Sequence, residues 1–181
     1  MVKIFCVNTQ SSKTFPEGTT LMDMLPSFDF ERPYPILCAK VNNVSQGLKY
    51  RAFNSRKVEF HDYTSYLGRS VYCNSLCFLL CKAAKDVFPD CRVILRRPIS
   101  KGYFCSIDKG DGAELSISDL DMIKRRMLEL VEADIPFRRH EVLLDEAIEL
   151  FRSLGYEDKV KLLETSGDVY VNYYTLEDTP D

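Results

Sequence analysis

Histidine is scarce in this 181-residue sequence: it occurs only at His61 and His140, which are far apart and lack ligand spacing. A metal or acid–base centre built from paired imidazoles is therefore not offered by local sequence. Solvated histidines are the expectation at both places. No Cys-x-x-Cys pair occurs among the seven cysteines, an odd total. With no export signal, reduced thiols are expected rather than a disulfide framework. There is no Gly-x-Ser-x-Gly elbow and no Gly-x-x-x-x-Gly-Lys-Ser/Thr phosphate loop, so neither nucleophile nor nucleotide cradle is signalled. No apolar run approaches the roughly 18 residues that cross a bilayer. The first residues, Met1 to Val7, alternate like a strand and are too short for a secretory leader. A cytoplasmic protein without a membrane partner is expected.

What is present is an ordinary globular composition. A hydrophobic share of 45% supports a real core, and the length suits one large or two small domains. The net charge of −3 argues against a protein that coats nucleic acid with its whole surface. That charge is uneven: residues 1–63 carry 8 Lys/Arg against 6 Asp/Glu, and residues 64–181 carry 16 against 21. A cationic run, Arg92, Arg96, Arg97 and Lys101, interrupts the acidic half.

Strand-like alternation at 2–7 is followed by a turn and a hairpin partner at 13–15. Thr19 and Thr20 offer a hydroxyl cap to a short helix through Met22, Met24 and Leu25. A buried strand is predicted at 36–41, an Asn42-Asn43 turn after it, and strands at 48–53 and 57–60. The sequon Asn43-Val44-Ser45 is read as turn chemistry. A long apolar helix covers 72–89. Strands follow at 91–95 and 102–107, and Gly110-Asp111-Gly112 is a loop. Ser118 is the expected cap of a helix over 119–133, with Leu120, Ile123, Met127, Leu130 and Val131 on its apolar stripe. A strand at 137–143, a helix at 144–154 ending on Gly155, a helix at 158–164 and a strand at 169–176 complete the chain. The fold class is α+β.

On the long helix, Cys73, Cys77 and Cys81 share one stripe. A thiolate metal site is one reading and core packing the other. Packing is favoured, since no fourth ligand lies at useful spacing and the neighbours are apolar. The acidic pairs Asp145-Glu146 and Glu157-Asp158 read as helix starts favoured by the dipole. No complete active site is legible.

The helix also carries a resemblance. Its Asn74, Phe78, Leu79-Leu80 and Phe88-Pro89 are similar to the opening of the second additional domain of threonyl- and alanyl-tRNA synthetases. That family's helix opens His-x-x-x-His, runs through Leu-Leu and closes on an aromatic–proline pair. Counting from Leu79-Leu80 and Phe88-Pro89, the histidine positions fall on Asn74 and Phe78. Two imidazoles four residues apart can hold one metal ion; an amide and a phenyl ring cannot. The resemblance therefore implies an editing-type fold whose hydrolytic chemistry is lost. The family's second ligand motif, Cys-x-x-x-His, lies beyond the last strand and is not reached by Asp181. Pro98 with Gly102-Tyr103-Phe104 resembles the family's hairpin, Lys124-Arg125-Arg126-Met127 its basic helix, and Glu157-Asp158-Lys159-Val160 its late helix. Upstream, Phe15-Pro16-Glu17-Gly18-Thr19-Thr20 followed by Ala39-Lys40-Val41-Asn42-Asn43 resembles a TGS domain.

These resemblances imply a TGS-like β-grasp domain over 1–62 and a degenerate, C-terminally incomplete editing-type domain over 66–181. The latter is expected to set a long central helix on an antiparallel sheet, and the joint falls around 62–65. They imply no catalytic residue, cofactor or metal ligand in this sequence. The candidate ligand cleft comprises Asn74, Phe78, Arg96, Arg97, Lys101 and Tyr103, because arginine pairs suit phosphate oxygens and a tyrosine can stack on a base. A solvated basic face is the plainer alternative. The same two domains also precede uridine kinase-like P-loop domains in certain fused proteins. A synthetase is expected to keep His-x-x-x-His, so the favoured reading is a non-catalytic binding or regulatory module of a uridine kinase-like nucleoside kinase. ATP and magnesium would then belong only to a downstream kinase-like domain of the same chain, that domain being the expected partner and a nucleotide or RNA the candidate ligand. The acidic end at 177–181 is read as a boundary with that longer protein. The alternatives are an editing region of a threonyl-tRNA synthetase-like protein, or an active hydrolase using the cysteines.

Overall fold

The computed structural model describes residues 1–99, 102–110 and 112–176, the side chains of 97–99 excepted. It is an α+β protein whose described chain forms two compact units, Met1–Cys81 and Lys82–Asp181.

The first unit is built on alternation. In β1 (Val2–Cys6), Val2, Ile4 and Cys6 point inward while Lys3 faces out. β1 pairs antiparallel with β2 (Ser11–Phe15), as the sequence pattern predicts. β3 (Thr19–Thr20) leads into α1 (Leu21–Met24), capped by the Thr20 hydroxyl accepting from the Asp23 amide at 3.2 Å, and a 3-10 turn (Leu25–Ser27) follows. β4 (Ile36–Val41) turns through Asn42 and Asn43, both at positive φ, into β5 (Val44–Gln46). A two-residue hairpin closed by a type I′ turn needs that conformation at both central positions, and asparagine tolerates it. The strand expected at 57–60 is the middle of β7 (Arg56–Asp62).

The sheet order is β2-β1-β7-β4-β5, with β1 and β7 parallel at its centre. This is the β-grasp arrangement. Its core joins Ile4, Leu21, Met24, Phe28, Val58 and Phe60, with Phe28 and Phe60 rings 6.2 Å apart. The strand expected over 48–53 shrinks to β6 (Arg51–Ala52), which pairs with β3. The physical reason is a competing use of the backbone. The Leu48 and Tyr50 carbonyls accept from the Met22 and Leu21 amides, at 2.9 and 3.1 Å, and so serve the helix start.

α2 (Tyr66–Val87) begins at Tyr66 rather than at 72. The start is set by side chains just upstream. Ser65 accepts from the Gly68 amide and donates to the Asp62 carbonyl, both at 3.0 Å. Asp62, buried at the end of β7, accepts from the Thr64 amide at 2.9 Å and from its hydroxyl. A Cβ on Gly68 would lie 1.8 Å from the Asp62 carbonyl oxygen, so only glycine allows the helix to leave the strand this closely. The helix ends where Pro89 can no longer donate.

In the second unit, β8 (Arg92–Ile99) pairs antiparallel with β9 (Gly102–Asp108). α3 (Ile117–Glu132) is capped by Ser116, not Ser118. Ser116 and Asp119 form a reciprocal capping box, and Lys109 reaches the Asp119 carboxylate at 3.1 Å. Both serines start a Ser-x-x-Asp pattern; the bond from Lys109 favours the earlier register. β10 (Phe137–Leu143) and β11 (Tyr170–Leu176) form an antiparallel pair, bracketing α4 (Leu144–Ser153) and α5 (Glu157–Glu164). Gly155, at φ 75°, ends α4. Among the described residues, the strands of this unit form two separate two-stranded ladders.

Candidate functional site

Asn74 and Phe78 lie four residues apart on α2, in the first unit. Asn74 is exposed and Phe78 half-buried. Both are therefore reachable from solvent on the helix face where the resemblance puts the histidines. Cys73, Cys77 and Cys81 are half-buried thiols. Among the described residues, no group of three or more His, Cys, Asp or Glu side chains is gathered to hold a metal ion.

Neither histidine is the solvated side chain that the sequence suggests. The His61 ring is only 11% exposed, on the face of β7 opposite the core, with Nε2 3.7 Å from Glu59 Oε2. Burial pushes its pKa down, Lys40 adds to that, and Glu59 and Asp62 oppose it. His140 sits within the β10–β11 ladder, 2.8 Å from the Thr175 hydroxyl and stacked on Tyr173 at 4.8 Å. Strand periodicity placed both against neighbours, which residue type alone could not reveal.

The basic hairpin carries a feature that composition cannot show. Leu95 pairs with Cys105 and Pro98 with Tyr103, so Arg96 and Arg97 together oppose the single residue Phe104. Two residues against one is a β-bulge, which bends a strand and re-aims a side chain. It also lets Pro98 sit in the strand without breaking a ladder. Arg92 and Arg96 are exposed, as are Tyr103 (44%) and Phe104 (50%). Arg92 faces Asp108 across the ladder. The Arg97 side chain and Lys101 lie outside the described residues. The structure thus joins Arg96 to the Tyr103–Phe104 strand in the second unit, while Asn74 and Phe78 belong to the first.

One cluster was not singled out by sequence. Tyr63 meets Tyr34 and Tyr72 edge-on, at 6.3 and 5.1 Å, and the Arg69 guanidinium lies over the Tyr63 ring at 5.7 Å. The signal that could have found it is Tyr63, Tyr66, Arg69 and Tyr72 close together in a stretch, 63–81, that holds no Asp or Glu.

Elsewhere in the second unit, Asp86 on α2 accepts from Lys82 at 2.7 Å and from Arg126 of α3 at 2.8 Å. Burial alone would raise its pKa, but the hydrogen bonds and charges of Lys82 and Arg126 outweigh it and hold the carboxyl below its usual range. Among the described residues, no helix is long and apolar enough to cross a membrane.

No family model matches the chain. Along nearly its whole length, however, it is similar to threonine–tRNA ligases. The ligase of Azobacteroides pseudotrichonymphae is 27% identical over 175 residues, covering 97% of this chain and 27% of the relative. That of Syntrophotalea carbinolica is 31% identical over 172 residues, covering 94% and 27%, and that of Desulforamulus reducens is 26% identical over 182 residues, covering 100% and 28%. The chain thus spans about a quarter of the length of the curated relatives it matches.

Proposed function

We propose that this chain is a non-hydrolytic, tRNA-binding region related to the TGS and editing-type domains of threonyl-tRNA synthetases. The observation that carries the binding half is the bulged hairpin, which presents an exposed arginine beside exposed Tyr103 and Phe104. Guanidinium groups suit phosphate oxygens and exposed rings suit bases, so an RNA end or nucleotide is the fitting ligand. The loss of hydrolysis rests on Asn74 and Phe78 standing where the resemblance expects histidines. Similarity to threonine–tRNA ligases supports this reading above that of a uridine kinase-like nucleoside kinase, since none of the relatives named above is a kinase. The kinase parent, with its ATP and magnesium, keeps only the domain analogy. We propose boundaries of 1–62 and 66–181 for the two domains, action in the cytoplasm, and the remainder of a longer chain as partner.

The test is binding and hydrolysis measured together. Labelled tRNA should bind with an affinity that falls as salt rises, and mischarged tRNA should remain esterified. Replacing Arg96 and Arg97 by alanine should abolish binding at nearly unchanged melting temperature. A double variant that binds tRNA as well as the parent would make the hairpin a solvated face.

A further inference from the structure

We propose that Tyr34, Tyr63 and Tyr72, with Arg69, form a stacking platform for single-stranded nucleic acid on the first unit. It rests on the reading that the chain binds RNA, and adds a second contact built from residues of the first unit alone. The geometry is that of a linked cluster of rings. Tyr63 lies between Tyr34 and Tyr72, in edge-to-face contacts of 6.3 and 5.1 Å. All three are exposed, Tyr34 at 51%, Tyr63 at 38% and Tyr72 at 44%, and Tyr66, in the same stretch of sequence, is 89% exposed. Monomeric proteins seldom leave aromatic clusters open to water without use.

Charge then selects the occupant. The first unit carries 9 Lys/Arg against 6 Asp/Glu, a net +3, and 63–81 contains no acid at all. The nearby Asp62 carboxylate is taken up by the Thr64 amide and hydroxyl. Arg69 lies exposed over the Tyr63 ring, and Arg32, also exposed, lies over Phe30 at 5.2 Å. Arg32 and Tyr34 further line an open depression of about 550 Å³ with Pro33, Pro35 and Ile36. Exposed rings interleaved with cations match a polyanion that carries flat bases. Bases stack on such rings with little regard to sequence, and arginine adds cation–π attraction. An acidic peptide would satisfy the cations but leave the rings unused, and a proline-rich peptide would use the rings but not the cations.

The test uses the full 181-residue chain and a short fluorescein-labelled oligoadenylate, with an oligodeoxyadenylate, an abasic oligonucleotide and a proline-rich peptide as comparisons. The chain has no tryptophan, so its intrinsic emission is tyrosine's and should be quenched as bases stack. Oligoadenylate should bind at low salt, and the abasic strand should bind about tenfold more weakly. Tyr72→Ala and Tyr34→Ala should each weaken oligoadenylate binding about tenfold, while Tyr72→Phe and Tyr34→Phe keep it, because the ring and not the hydroxyl is needed. Arg69→Gln should lower the salt dependence by about one phosphate contact. Both alanine changes are at exposed positions, and an unchanged melting temperature separates lost binding from lost folding. The proposal falls if no oligonucleotide binds at low salt, if the abasic strand binds equally well, if the alanine variants bind as the parent does, or if only the proline-rich peptide binds. Equal binding of the deoxy strand supports a platform for either nucleic acid. Should Arg96→Ala with Arg97→Ala abolish tRNA binding while the tyrosine variants remain normal, the platform alone is refuted. The reverse pattern would refute the hairpin site and keep the platform.

Discussion

The two units of this chain are stabilised differently and carry opposite charge. Met1–Cys81 has a net +3 and one contiguous core, in which Phe28, Ile4, Leu21, Met24 and Val58 are almost wholly withdrawn from water. Lys82–Asp181 carries 15 Lys/Arg against 21 Asp/Glu, a net −6. Its described buried residues, such as Ile123, Leu130, Ala147 and Val160, are scattered over separate helices, and large apolar side chains including Ile117, Leu128, Val131 and Leu162 stay more than half exposed. The first unit is therefore held mainly by burial. The second depends more on caps, strand ladders and charged hydrogen bonds, and the cationic run of β8 stands out against an acidic background.

The contrast breaks most sharply in the first core. Phe28→Ala should cost about 3–5 kcal/mol, and calorimetry should show the first unit melting well before the second. Equal loss in both units would mean that they fold as one. Gly68→Ala comes next. The added methyl would meet the Asp62 carbonyl at 1.8 Å, so α2 must shift, with an expected loss of about 2–4 kcal/mol. Gly47→Ala, with nothing within 4 Å, should change stability by less than about 0.5 kcal/mol and serves as the control.

In the second unit, Asp86→Asn should cost about 1–2 kcal/mol at neutral pH by weakening the bonds from Lys82 and Arg126. The folded-state pKa of Asp86 lies below its unfolded value, so the contribution is complete above the unfolded pKa of about 3.9 and is lost as pH falls through the folded one. The melting difference between parent and variant should accordingly close in acid. A difference that persisted below both pKa values would assign the effect to packing. The smallest expected effect is at the α3 cap, where Ser116→Ala should cost about 1 kcal/mol and Ser118→Ala almost nothing.

That last pair shows where sequence was and was not informative. Strands with clean alternation, β1 and β7, and helices with clear stops, such as α4 at Gly155, were legible because local chemistry decides them. The choice between Ser116 and Ser118 was not, since both offer the same pattern and Lys109 favours one of them from outside the helix. The strand expected at 48–53 failed likewise, because its carbonyls were claimed by the amides of α1. At the candidate site, the identities of Asn74, Phe78, Arg96 and Tyr103 were readable, but the bulge that sets two arginines against Phe104 depends on pairing register. In the tyrosine cluster, Tyr63, Arg69 and Tyr72 are close in sequence, but Tyr34 joins them from far upstream, beyond the reach of any local pattern.

The most direct measurement incubates the 181-residue chain with mischarged and uncharged tRNA, following ester hydrolysis and binding in the same preparation. Salt-sensitive binding with hydrolysis no faster than in buffer, unchanged by added zinc, is the expected result. Catalytic turnover of the ester, lost on Cys77→Ser, would contradict the account and return the chemistry to the cysteine stripe of α2.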